Sequence, residues 1–193
     1  MRTIGLLLCS VMICFGAACT QKAVLDNKKG NTMSKLQGVR VIEISKFRAV
    51  SSGLATFDKI FAEGGFDKWM QANRKIVKNM IYDGPDFMWH EDGKSIWIWA
   101  IEDWVTPADT APYDIIEFEG GMYVVATANE DDPADLNEVV SGMLQWIKNS
   151  GVFESDDRPG HRGMCHMVGC GAIQKALGFA QQEIFLPVKF KKP

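Results

Sequence analysis

The segment QQEIFLPVKF, Gln181 to Phe190, sets one carboxylate at the head of an apolar and aromatic run. A carboxylate in such company is costly unless it keeps its proton, accepts hydrogen bonds or meets a cation. Aromatic faces would strengthen the last option, each cation–π contact being worth about 0.5–2 kcal/mol. Side chains alternate along a strand, so Glu183, Phe185 and Pro187 share one face and Ile184, Leu186 and Val188 the other. The aliphatic set suits packing against helices, which leaves Glu183 and Phe185 for a ligand groove. Strand SIWIWAI separates Trp97, Trp99 and Ile101 from Ile96, Ile98 and Ala100 in the same way, making Trp97 and Trp99 candidate groove walls, with Tyr123 a further candidate. Two plainer readings compete: Glu183 as an edge-strand residue half in water, paired with Lys175 or Lys189, and the tryptophans as core anchors.

A second cluster, HRGMCHMVGC, packs His161, Cys165, His166 and Cys170 into ten residues. Neighbours on a strand point to opposite faces, so Cys165 and His166 do not share an ion, and the C-x₂-C spacing of structural zinc sites is missing. No metal site is expected. Neither a phosphate loop nor a Ser-His-Asp set is present, and no cofactor is expected.

These residues must be positioned by a chain of 193 residues that is 47% hydrophobic, enough for a buried core. The net charge of −3, with no basic stripe, argues against capture of nucleic acid. Residues 1–18 join one early arginine, Arg2, to an apolar run and the small residues Gly16, Ala17 and Ala18, the composition of a secretory signal peptide. Cys19 follows at once. The arrangement resembles the lipobox of bacterial lipoproteins, with Gly16 where a leucine is usual, and predicts lipidation at Cys19. Residues 19–37 then read as a polar tether, and the protein is expected outside the cytoplasm on a bacterial membrane, periplasmic or surface side. In that setting Cys165 and Cys170 either pair across a turn or stay as buried thiols.

Residues 38–193 read as one folded unit. GVRVIEISKFRAVSSG predicts a strand, and the spacing of Phe66, Trp69, Met70, Val77, Met80 and Ile81 predicts an amphipathic helix. Asp92-Gly93 predicts a tight hairpin. VTPADTAP, with two prolines, reads as a linker. YDIIEFEGGMYVVATA predicts a strand with a bulge or bend at Gly120-Gly121. Asp132-Pro133 opens a helix with Leu136, Val139, Val140, Met143, Leu144 and Ile147 on its apolar face. Strands near Gly163–Val168 and Glu183–Phe190 follow, with a loop or short helix between them. Two β-α-β-β units emerge, an α+β fold by duplication, with helices on one sheet face and the other face free to form a groove.

The run EFEGGMYVVATA, the helix end QWIKNSG and the closing strand EIFLPVKF resemble the GyrI-like domain, also called the AraC effector-binding domain. The resemblance spans about Val39 to Lys189. It implies two pseudo-symmetric modules around a ligand groove, an architecture related to that of the SOUL proteins, and it puts Glu183 at the position of the acid found in the groove of several members. The implied activity is binding: an exported, membrane-tethered domain that senses or sequesters a small hydrophobic or cationic ligand. An alternative, also implied by the resemblance, is a hydrolase of reactive small molecules with Glu183 as general base. RGMCHMVG lacks the acid and tyrosine that many members carry on the penultimate strand.

Overall fold

The computed structural model describes residues 38–79, 86–168 and 171–192. The segments expected as signal peptide and tether, Cys19 and Cys170 lie outside them.

Two long, bent strands form the spine. The first is β1 (Arg40–Ile44) continued by β2 (Phe47–Ser51), and the second is β5 (Asp114–Phe118) continued by β6 (Gly121–Asn129). They pair antiparallel from Arg40↔Val125 to Ile44↔Gly121 and, with register unchanged, from Phe47↔Phe118 to Ser51↔Asp114. The first was expected as a single strand and instead breaks in the middle, while the second breaks at the bend expected at Gly120-Gly121; in both, the two halves serve different neighbours. Beyond the crossing, β2 pairs with β4 (Lys94–Ala100), β4 with β3 (Asp86–Glu91), β3 with β8 (Met164–Val168), β8 with β9 (Gln181–Phe190), and β9 with β6. The short β7 (Phe153–Ser155), not expected from the sequence, pairs with the far end of β9. The sheet thus curls into a barrel-like wall. Its weakest seam is β3–β8, which shares the single register pair Met88↔Cys165.

Helices cover only part of this wall. On the first module α1 (Phe57–Phe61) and α2 (Phe66–Ala72) pack Ile60, Phe66 and Met70 against Trp97, Trp99 and Ile101 of β4. The expected helix through Val77 stops nine residues short of Ile81: Asn73 donates its side-chain Nδ2 to Trp69 O at 2.8 Å, a 3₁₀ turn follows, and Val77 bridges to Ile101 as extended chain. Met80 and Ile81 lie outside the described residues. The expected linker forms α3 (Pro107–Thr110), because Thr106 and Asp109 complete a capping box around Pro107. On the second module α4 (Pro133–Asn149) starts where Asp132 accepts hydrogen bonds from the Ala134 and Asp135 amides. It buries Leu136, Val139, Met143 and Ile147 over β6 and β9, each worth about 1.5–3 kcal/mol. Leu144, counted with that face by periodicity, is 49% exposed. The small α5 (Ala172–Leu177) precedes β9 and buries none of its residues.

The face expected to be open is closed. Ala49, Trp89, Ile98, Phe118, Tyr123, Val125, Met164 and Phe185 come from seven strands and form one cluster. A single cluster fed by strands all round the sheet is the inside of the curl. The helices stand outside, in two separate clusters, and the middle strands β3 and β8 lie between those clusters.

Candidate functional site

The space between the helical clusters is a cavity of about 790 Å³ over the β3–β8 seam, within the range of about 300–1,000 Å³ usual for small-molecule sites. Its floor follows from hairpin register. The Asp92-Gly93 turn, with φ of 50° and 73°, sets Glu91 opposite Lys94, and so Met88 opposite Trp97 and Asp86 opposite Trp99. All four side chains therefore share the outer face, where they line the cavity with Cys165 and Met167 of β8. Phe57 and Phe61 close one side, Phe61 stacking on Trp97 at 5.2 Å between ring centroids. Ile173 of α5, 53% exposed, stands at the other side.

Asp86 is the buried anchor of this floor. Its Oδ2 accepts a 2.6 Å hydrogen bond from Trp97 Nε1, and His166 Nδ1 lies 3.0 Å from its Oδ1. The tryptophan is thereby locked by the acid beside it. Glu130, at the end of β6, also lines the cavity. Burial raises its carboxyl above the ordinary glutamate value, and the neighbouring Asp131 carboxylate adds to the rise. Asp67 of α2 adds a third acid, accepting from Gln71 Nε2 at 3.3 Å. Among the described residues lining the cavity the one basic side chain is Arg74. The lining therefore combines aromatic rings, methionines and a net negative charge, a setting in which a hydrophobic cation is favoured over an anion.

The residues singled out in the sequence divide between the two faces. Trp97 and Trp99 line the cavity. Glu183, Phe185 and Tyr123 do not. The alternation along β9 is as expected, with Ile184 and Val188 under α4, but the side opposite the helices is the filled interior. Phe185 is core there, edge-on to Phe87 at 5.3 Å. Tyr123 is wholly buried beside His161, its phenol pushed up by burial, with no hydrogen-bond partner for its hydroxyl among the described residues. Glu183 forms an ion pair with Arg40 of β1, not with Lys175 or Lys189, and is therefore removed from the central position expected of it. That pair joins residues 143 apart in sequence across the β1–β6–β9 ladder, a partnership no local pattern announces. Glu183→Gln is expected to cost less than about 1 kcal/mol, since Arg40 is exposed, and to leave ligand affinity of the cavity unchanged. Loss of binding in that variant would return the site to the Glu183 face.

His161 and His166 are held by different acids, His161 Nδ1 to Asp156 Oδ2 at 2.7 Å and His166 to Asp86. Among the described residues no group of three or more histidines, cysteines or acids is placed to hold a metal ion. Asp86 and Glu130 were missed in the sequence. For Asp86 a signal existed, since the hairpin turn alone sets it across from Trp99.

No protein-family model matches the sequence, and comparison with curated proteins gives no match. Solved structures do resemble it. A hydrolase from Listeria innocua matches at 14% identity and a TM-score of 0.53, over 78% of this chain and 91% of that chain. The EcmrR C-terminal domain matches at 11% identity and a TM-score of 0.50, over 78% and 96%. SAV2435, solved bound to tetraphenylphosphonium, is a looser likeness at 14% identity and 0.48, over 79% and 94%. At these identities the likeness is one of fold. The curled, two-module α+β architecture is compatible with a GyrI-like groove fold.

Proposed function

We propose that this protein binds a small hydrophobic cation in the outer cavity over β3 and β8, sensing or sequestering it, as an exported domain tethered to the membrane through lipidated Cys19. The observation that supports this most is the joint placement of Trp97, Trp99, Asp86 and Glu130 around one cavity. Apolar contact with the rings and methionines supplies most of the affinity. The acids select the charge. Hydrolysis through Glu183 has less support, because its carboxylate is engaged by Arg40 and lies away from the cavity.

Tetraphenylphosphonium and tetraphenylborate share a shape and differ in charge, and each can be titrated into the purified full chain by calorimetry and tryptophan fluorescence. The phosphonium is expected to bind at least about tenfold more tightly, the equivalent of 1.4 kcal/mol. Equal affinity, a preference for the borate, or no binding of either overturns the reading.

Glu130 makes that affinity depend on pH. A cation pairs with the ionised carboxylate, so protons compete with it, and affinity is expected to rise with pH from the ordinary glutamate value of 4.5 upward through the raised value. Glu130→Gln should flatten this dependence. The same raised value means that the folded chain holds the proton more firmly than the unfolded one, so ionised Glu130 opposes folding above pH 4.5. The glutamine variant should therefore melt higher than wild type at neutral pH. A steep pH profile that survives the substitution would assign the proton elsewhere.

A further inference from the structure

We infer that Arg74 is the cavity's resident cation, occupying the face of Trp99 in the empty protein and competing there with any cationic ligand. The inference rests on the cavity reading above and adds a specificity-determining residue to it.

Arg74 follows Asn73, the residue that ends α2, and opens the 3₁₀ turn Arg74–Ile76. The turn swings the side chain back over β4, where its guanidinium carbon stands 4.4 Å from the centre of the Trp99 ring. Contact within about 6 Å of the centroid is cation–π range. Trp99 is thus already serving a cation, and the cation belongs to the chain itself. The rest of the guanidinium is loosely held: Nε and Nη2 each reach Gln71 Oε1 at 3.4 Å, and among the described residues no carboxylate lies within ion-pair distance.

Arg48 shows the contrast. Its Nη1 and Nη2 are clamped by the main-chain oxygens of Asp103 and Val105 at 2.9 and 2.8 Å. That arginine is a fixture, while Arg74 is exposed and can move into solvent without breaking a strong bond. Arginine ordinarily seeks a planar, bidentate carboxylate partner. Here three acids among the described residues line the same cavity and Arg74 sits on an aromatic ring instead. Arg74 therefore leaves the charge of the acids unneutralised, and an incoming cation must displace it to reach the ring, since two positive charges cannot share one face.

The test uses Arg74→Met, which keeps an unbranched apolar stem and removes the charge, and Arg74→Lys, which keeps the charge. Tetraphenylphosphonium and tetraphenylborate are titrated into the full-length wild type and both variants. Arg74→Met is expected to bind the phosphonium about threefold to tenfold more tightly than wild type, the range set by one cation–π contact at an exposed site and like-charge repulsion. Arg74→Lys should stay near wild type, and borate affinity should not rise in either variant. Equal or weaker phosphonium affinity in Arg74→Met overturns it while leaving the cation reading intact. Absence of phosphonium binding in wild type and variants alike overturns both. A loss confined to the borate would identify Arg74 as an anion receptor and overturn the inference as well.

Discussion

Asp86→Ala is expected to lower the stability of the protein by about 2–4 kcal/mol and to abolish measurable binding of a hydrophobic cation. Both losses follow from one carboxylate. It accepts from the buried indole of Trp97 at 2.6 Å and sits 3.0 Å from His166 Nδ1. Alanine leaves that buried N–H without an acceptor, and an unmet buried donor costs about 1–3 kcal/mol. It also leaves His166 without its acid and opens a small void beneath the cavity floor. Trp97, no longer held, ceases to present a fixed ring to a ligand. Asp86→Asn separates the two consequences. Its side-chain oxygen can still accept the hydrogen bond from Trp97 Nε1, so most of the stability should remain, while the missing charge should weaken the cation about tenfold. Urea unfolding and phosphonium titration of the pair would check this. An alanine variant as stable as wild type, or an asparagine variant with full cation affinity, would remove Asp86 from the site.

Gly120→Ala is the second large effect, expected to cost about 3 kcal/mol or more. Gly120 stands at the break between β5 and β6 with φ of +70°. A Cβ there would lie 2.2 Å from Ile44 O, 2.8 Å from Ser45 C and 3.0 Å from Lys46 N. All three atoms are main chain of the other long strand at its own break. No side chain can turn aside to make room. The substitution should therefore disturb the crossing of the two spines, around which both modules are arranged. Gly53→Ala provides the control, because Gly53 has φ of +64° but nothing within 4 Å of its missing Cβ. It should lose only the left-handed backbone term, about 1–2 kcal/mol. Equal losses in the two variants would show that backbone strain, and not the close approach of the spines, explains Gly120.

Much of this architecture was legible in the residues because the signals are local. Asp132 before Pro133 starts α4 where an N-cap and a first-turn proline should. Asp92-Gly93 makes the hairpin turn, and through it the register that sets Asp86 and Met88 beside Trp99 and Trp97. The alternation along β4 and β9 correctly sorted each strand's side chains into two sets. What alternation cannot say is which set meets solvent. It contains a period of two and no sign, so the face assigned to the ligand in β9 proved to be the interior.

The sequence by itself determined the duplicated α+β plan and the positions of most strands and α4, since propensity, capping and turn chemistry act over a few residues. Only the tertiary structure decided where the cavity lies. The curl of the sheet depends on the crossing of β1–β2 with β5–β6, some seventy residues apart in the chain, and that curl fills the face of Phe185 and Tyr123. The acids that remain beside the tryptophans, Asp86 and Glu130, and the arginine that shields one of them, are brought together from three separate segments by the same long-range closure.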